Sequence, residues 1–391
     1  MASITKTKNG FRIRLSVVDN GDRKWHTETF IPKASTPAAA RKEAELYAGL
    51  LEEQFRAGTK YDGAGMTFDQ WVVIWEKDKG FGGAIEEGTR ENYLDNIRLH
   101  VSPAFGQIRI SEIEPLRLRS LRDDLLNDGK APATIRKIFA AASGVFECAL
   151  EAGCIRSNPC RGVRLPKQRT NRDLHYFTAE QAAAFLEACR EQEPYQFYVF
   201  YQLAIYGGFR RSEILGLTWD DIDWEHRTVA IEKAVTRVKS GIKEKGPKTE
   251  AGRREISLPA ACFDALRQLR AEQLRTMLQH PEFKDHGYLF TQTNGSRMDL
   301  STPSHKFLKI VGKYNATHEE AEQLPCITLH DLRHTSATLL IAGHVDIETV
   351  SHRLGHSKAS VTLDIYAHAM EETDRTAADY LSGVLKNARK A

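Results

Sequence analysis

HDLRHTSATLL, residues 330–340, reads as the start of a helix in which a polar pair is set into an apolar frame. His330 and Arg333 are three residues apart and so share a helix face. Leu332, Leu339 and Leu340 project elsewhere and can hold the helix against a core. A paired His and Arg suit an anionic group, because a guanidinium grips phosphate oxygens through two donors. His334 is a rival partner for the arginine, and a structural network of all three residues is the plainer alternative.

Three more polar clusters lie on either side. LGHSKASVTLDIYAHA, residues 354–369, carries His356 and, ten residues on, Tyr366. GGFRRSEILGL, residues 207–217, places Arg210 after a glycine pair and a phenylalanine, with Glu213 at i+3 to hold the guanidinium. KGPKTEAGRREISLP, residues 245–259, sets Lys248 in a turn between two predicted strands. Taken singly, these read as an ion pair on a helix, a surface lysine, a structural histidine and a packed tyrosine.

Taken together, the order Arg210, Lys248, His330-x-x-Arg333, Gly355-His356, Tyr366 resembles the tyrosine recombinase (phage integrase) family. GGFRRSEI is similar to the family's first arginine box, HDLRHT to its His-x-x-Arg box, and LGHSKASVTLDIY to its third box with the nucleophile. The likeness spans about 174–385. One departure is Gly207-Gly208-Phe209 where the family often has Thr-Gly-Leu, and Arg211 directly follows Arg210. Arg210 is preferred as the family arginine, since that residue precedes a variable position and then Ser-Glu.

The rest of the chain is read by periodicity. Phe11, Ile13, Leu15 and Val17 alternate with polar residues as in a half-buried strand. DNGD (19–22) is a turn, KWHTETFI pairs back, and Thr36-Pro37 opens a helix carrying Ala40, Ala44, Tyr47, Ala48, Leu51 and Phe55. Residues 56–65 read as a linker. From 66 to 165 the pattern predicts four helices: one behind the Thr67-x-x-Gln70 capping box, one opened by Thr89, one started by Pro115 and stopped at Gly129, and one started by Pro132 and stopped at Gly153. Beyond 174, a Thr178-x-x-Gln181 box caps a helix, and YQFYVFYQLAIYGG is largely apolar and helical. Strands are expected at 228–235 and 253–259, and helices at about 260–279, 301–314, 330–342, 346–354 and 374–388.

The fold class is therefore multidomain. A small α+β unit (three-stranded sheet plus helix) precedes an all-α four-helix unit and a mainly α unit with a small antiparallel sheet. By resemblance these are an arm-type DNA-binding domain (1–60), a core-binding domain (66–165) and a catalytic domain with a C-terminal helix (174–391).

Net charge is +3 and by itself argues nothing. Its distribution says more. RGVRLPKQRTNR (161–172) has five basic residues and no acid, and residues 236–254 have seven basic and two acidic. Such segments suit polyanion contact, or simply solvated loops. Candidate DNA contacts are Arg12, Arg14, Arg136, Lys137, Arg161, Arg164, Lys167 and Arg169; Arg117, Arg119 and Arg122 also lie on the helices. Cys148, Cys154, Cys160, Cys189, Cys262 and Cys326 form no CxxC pair, which disfavours a disulfide framework or zinc site. No apolar run reaches membrane-span or signal-peptide length, so a cytoplasmic, nucleoid-associated protein is expected.

The resemblance implies more. Tyr366 would attack a DNA phosphodiester, leaving a 3′-phosphotyrosine and a 5′-hydroxyl, and a partner strand would then resolve that link through a Holliday junction. Arg210, Arg333 and His356 would stabilise the phosphate, Lys248 would protonate the leaving oxygen, His330 would assist proton transfer, and Glu213 would orient Arg210. No metal or cofactor is needed. The partners would be duplex DNA with core-type and arm-type sites, three further copies in a tetramer, and an excisionase or DNA-bending protein. Rival readings are a Xer-type resolvase, a type IB topoisomerase, and a DNA-binding protein that has lost catalysis.

Overall fold

The computed structural model describes residues 3–7, 10–19, 22–32, 34, 36–56, 65–81, 85–167, 175–246 and 250–366. It divides into two compact units, Met1–Thr170 and Asn171–Ala391.

The first unit opens with an antiparallel sheet in the order β1 (Ser3–Thr7), β2 (Gly10–Asp19), β3 (Asp22–Phe30). The predicted alternation is visible in the burial of Phe11, Ile13 and Leu15, while Arg12 and Arg14 face solvent. Helix α1 (Pro37–Arg56) starts where Thr36-Pro37 places it and lays Ala40, Ala44, Ala48 and Leu51 against that face. Tyr47 donates to Glu28 at 2.7 Å.

A separate core belongs to the helical part. The Thr67–Gln70 capping box is present, with Thr67 N to Gln70 Oε1 at 2.9 Å, and it opens α2 (Phe68–Phe81). Thr89 does not open the next helix. That helix, α3 (Glu87–Asn96), begins two residues earlier behind Glu86 and runs on through a π turn (Ile97–Val101) into α4 (Ser102–Phe105). The apolar stripe of Leu94, Ile97, Val101 and Phe105 keeps the chain helical past the extent that caps alone predict. Helices α5 (Pro115–Asn127) and α6 (Pro132–Glu151) start at their prolines and are followed by Gly129 and Gly153, both at φ +72°. Trp71, Trp75, Phe68 and Phe146 are its largest buried side chains.

The second unit is mainly helical. Helix α7 (Ala179–Gln192) has the predicted Thr178–Gln181 capping box, and α8 (Tyr195–Tyr206) is buried along most of its length. The short α9 (Arg211–Ile214) leads to the strands. The strand expected at 228–235 is divided. After β4 (Ile222–Asp223), β5 (Thr228–Ile231) pairs with β4 and with β8 (Arg254–Ser257), whereas β6 (Ala234–Val238) turns away to pair with β7 (Gly241–Lys245) as a hairpin. The basic stretch 236–254 thus contains a hairpin that the sequence pattern did not separate from its neighbours. Helices α10 (Ala260–Gln279), α11 (Thr302–Thr317), α12 (Asp331–Ala342), α13 (Ile347–Leu354) and α14 (Ala359–Tyr366) follow. The expected helix at 374–388 lies outside the described residues. Phe177, Phe185, Tyr201 and Phe307 form an aromatic knot with centroids 4.9–6.1 Å apart. Burial of each such ring stabilises by about 1.5–3 kcal/mol. This knot and α8 form the rigid backing for α12, through contacts such as Phe177 N to Thr335 Oγ1 at 3.0 Å. Among the described residues no helix is long and apolar enough to cross a membrane.

Candidate active site

Arg333 is the hub of the site. It is only 4% exposed, and Leu332 beside it is fully buried, so α12 presses its first turn into the core. Its guanidinium donates to the Gly208 carbonyl at 2.8 Å and to the Leu354 carbonyl. The first contact fixes the loop just before Arg210, and the second fixes the turn just before His356. One buried cation therefore ties the first arginine box to the Gly-His box.

Both tied segments need glycine. Gly208 has φ +63°, and a Cβ there would lie 2.9 Å from Leu354 Cδ2. Gly355 also has φ +63°, ending α13 in the left-handed conformation, and a Cβ there would lie 2.8 Å from an Arg254 nitrogen. The Gly207-Gly208-Phe209 variation thus supplies a backbone turn and a buried ring, and leaves Arg210 as the residue entering α9.

Glu213 holds Arg210 twice, through the backbone N at 2.9 Å and Nη1 at 2.8 Å. Arg211 instead bonds Ser304 Oγ at 2.9 Å, which separates the two adjacent arginines by role. Glu213 is 5% exposed. Burial alone would raise its pKa; hydrogen bonds and charge from Arg254, with further help from Arg210, overcome this and hold it below the usual carboxylate range.

His330 is the residue before α12 and reaches solvent. Its ring meets His334 edge-on at 5.4 Å. Surrounding protein, then the charges of Arg333, Arg210 and Arg211, lower its pKa against the opposing pull of Asp331. His356 is half-buried, with Nδ1 2.9 Å from the hydroxyl of fully buried Thr362. Desolvation, followed by Arg333, Arg210, His334 and Arg254, pushes its pKa down to about 4. Arg210, Arg333, His330 and His356 therefore share one electropositive site. Helix α14, which carries Thr362, ends at Tyr366. The Tyr366 side chain, Lys248 and Arg169 lie outside the described residues and side chains.

A histidine with a depressed folded pKa binds fewer protons than the unfolded chain. Between about pH 6.5 and about pH 4, His356 therefore makes stability fall as pH falls. His330 acts in the same direction. We expect urea midpoints at pH 7 and pH 4.5 to differ less in His356→Gln than in the native chain. An equal or larger difference in the variant contradicts the assignment.

A cavity of about 780 Å³ opens beside this site, lined by Arg210, Arg211, Arg237, Lys245, Ser301 and Gly355 among others. It is basic and bounded by the β6–β7 hairpin, which is pinned by Arg237–Asp299 and Glu244–Arg297 pairs.

The other predicted contacts sit in the first unit. Arg12 and Arg14 are exposed on β2, with Arg14 over the Trp25 ring at 4.5 Å. Several basic residues near the helical core hold backbone: Arg136 donates to Pro166 O at 2.9 Å, Arg122 to Arg164 O at 2.9 Å, and Arg119 to Gly162 O at 3.3 Å. Arg161 pairs with Glu147 at 2.8 Å. Lys137, Arg164 and Lys167 are exposed.

The sequence reading passed over Arg254. Its side chain is fully buried and it meets Glu213 at 2.8 Å. The signal was the alternation Arg254, Ile256, Leu258, which puts the arginine on the core face of β8.

Residues 175–373 match the phage integrase family, and residues 67–126 match the phage integrase N-terminal SAM-like domain. A tyrosine recombinase XerC-like protein of Caldanaerobacter subterraneus subsp. tengcongensis is 26% identical, over 96% of this chain and 97% of its own. The ICEBs1 integrase of Bacillus subtilis is 26% identical over 89% and 91%. Among solved structures, the Tn1549 transposon integrase in complex with a circular intermediate DNA superposes with a TM-score of 0.67 at 25% identity, covering 81% of this chain and 99% of that one. With the box order, the cation-lined site and these matches in agreement, the chain belongs to the phage integrase family and is a tyrosine site-specific recombinase.

Proposed function

We propose that Tyr366 is the nucleophile of this recombinase and that Arg210, Arg333 and His356 bind the scissile phosphate. The observation that carries this reading is the double grip of Arg333 on Gly208 O and Leu354 O, which sets three cation-bearing or donor segments around one point. A phosphoryl-transfer transition state spreads charge over non-bridging oxygens, and fixed, partly desolvated donors stabilise it without reorganising. His356 is neutral at neutral pH and can donate one hydrogen bond while its Nδ1 faces Thr362. Lys248 acts as general acid to the departing 5′-oxygen, and His330 relays protons beside the arginines. Glu213 orients Arg210. The tyrosine ester of the DNA 3′-phosphate conserves the bond energy, so religation by a partner strand needs no cofactor.

The biological task is integration and excision of a mobile element. Residues 66–165 bind core-type DNA, residues 174–391 carry the catalysis, and residues 1–60 bind arm-type sites. Four copies act on two sites in the host cytoplasm, with an excisionase or a DNA-bending protein setting direction. A chain similar over nearly its whole length to a XerC-like protein keeps the resolvase reading open. The sheet and helix at 3–56, read as an arm-binding domain, favour an integrase, and the ICEBs1 integrase is similar over 89% of this chain.

The test uses a nicked suicide duplex bearing the element's own ends. The native protein should yield a covalent protein–DNA band in a denaturing gel. Recombination between two unlike sites then separates an integrase from a resolvase or topoisomerase; relaxation of one duplex without strand exchange rejects the integrase reading. Binding should weaken with salt at a log–log slope of about −0.9 per phosphate neutralised. Arg136→Ala and Lys137→Ala should each flatten that slope by about one if the residue contacts a phosphate. An unchanged slope removes that residue from the interface.

A further inference from the structure

Glu213 poses a problem for the site it serves. It orients Arg210, but a carboxylate 2.8 Å from the guanidinium also cancels the charge that should meet a phosphate. Arg254 resolves the conflict. Each Glu213 oxygen takes one donor from each arginine: Oε2 from Arg210 N at 2.9 Å and Arg254 Nη2 at 2.8 Å, Oε1 from Arg210 Nη1 at 2.8 Å and Arg254 Nη1 at 3.2 Å. The triad carries one net positive charge. Its negative charge faces Arg254, whose side chain is fully buried, while Arg210 is 37% exposed toward the cavity.

Arg254 reaches further. Its Nε donates to the Arg353 carbonyl at 2.8 Å and its Nη1 to the Gly252 carbonyl at 3.2 Å. It packs against Gly355, immediately before His356. Its own position is six residues after Lys248 in the chain. The cavity is lined by Glu213, Gly252 and Gly355, each of which Arg254 touches, but not by Arg254 itself.

We infer that Arg254 is a positioning residue that takes up the charge of Glu213, leaving Arg210 cationic toward substrate and holding the His356 turn beside it. The inference rests on the functional reading above. A purely structural pair at this depth has no need of a second arginine, since an apolar residue of similar volume often serves stability as well as a buried ion pair. Lysine at this position would keep the charge but lose the planar fork that reaches Glu213 and Arg353 together.

The test compares single-turnover adduct formation, at saturating protein, in the native chain, Arg254→Lys, Arg254→Met and the double variant Arg254→Met with Glu213→Gln. Arg254→Met should cleave about 100-fold more slowly with unchanged DNA affinity, the scale of losing one preorganised charge. Arg254→Lys should fall between it and the native chain. Glu213→Gln added to Arg254→Met should restore part of the rate, because the unbalanced carboxylate is gone. A structural role predicts the reverse, a double variant slower than either single change. An Arg254→Met rate within twofold of native, or a double variant no faster than Arg254→Met, overturns the inference.

The DNA-free protein gives a readout independent of cleavage. In an NMR titration the His356 imidazole should take up its proton at higher pH in Arg254→Met than in the native chain, and the double variant should move back toward native. An unmoved titration in Arg254→Met counts against the inference even if the native chain forms no adduct, an outcome that would separately refute the assigned reaction. Should Arg254→Met fail to fold, Arg254→Lys carries both measurements: a native rate and a native His356 titration in it reject the role.

Discussion

Tyr366→Phe should form no covalent adduct with a suicide duplex while binding it as the native chain does. The change removes one oxygen and keeps the ring, so a lost band would report on the hydroxyl and not on the helix that carries it. Helix α14 has its own anchor one turn earlier, where Thr362 is fully buried and meets His356 at 2.9 Å. Deleting the nucleophile of a covalent enzyme typically removes on the order of a million-fold in rate, which on a gel is absence of the band. Native affinity in the variant would show that the fold and the DNA surface survive. A persistent adduct would mean that another residue attacks, and the proposed site would have to be rebuilt around it.

The second large effect is expected at Arg333, and it has two parts. Arg333→Leu should slow cleavage by about 100- to 1,000-fold, the usual consequence of losing one transition-state donor. It should also destabilise the protein, because the Gly208 and Leu354 carbonyls lose their buried donors. Each such loss costs about 1–3 kcal/mol. Urea unfolding at pH 7 measures the second part and single-turnover cleavage the first. Arg333→Lys should recover part of the stability, since an ammonium can reach one carbonyl, but little of the rate, since it cannot span both and still face a phosphate. Full stability in Arg333→Leu would show that the two carbonyls find other donors, and the arginine would then be a phosphate ligand alone.

The two arginines at 210 and 333 differ in how they are held, which bears on these variants. Arg210 is positioned by a carboxylate within its own short helix, three residues away. Arg333 is positioned by two main-chain carbonyls from distant segments. A change at 210 should therefore act mainly on rate, and a change at 333 on rate and fold together. The neutral state of His356 fits the same arrangement. Its own burial, then three arginines and His334, keep the ring unprotonated, so in the proposed role it would donate one hydrogen bond without adding a further charge beside the arginines.

Much of the site was legible in the chain itself. The spacing of His330 and Arg333, the glycines at 208 and 355, and the Glu213 three residues after Arg210 each encode a local geometry that burial later uses. Helix limits at Pro115, Pro132, Thr67 and Thr178 followed from caps and prolines, because these act within one turn. Thr89 misled because the chain is already helical from Glu87, whose carboxylate in the first turn suits the helix dipole, so the threonine falls inside the helix. The divided strand at 228–238 was hidden because two short strands with a common apolar content look continuous until their partners are known. Arg119, Arg122 and Arg136 in the first unit brace backbone carbonyls, a role that charge alone does not distinguish from phosphate contact.

The sequence by itself determined the order of chemical groups and the family to which they point, since both are read along the linear chain, and the local turns that present them, since those depend on neighbours within a few residues. Only the tertiary structure decided which of those groups share a charge. Arg254 lies 41 residues from the Glu213 it neutralises, and Arg333 lies 125 residues from the Gly208 carbonyl it holds. Electrostatic strength depends on burial and distance in space, and neither quantity exists until the chain has folded.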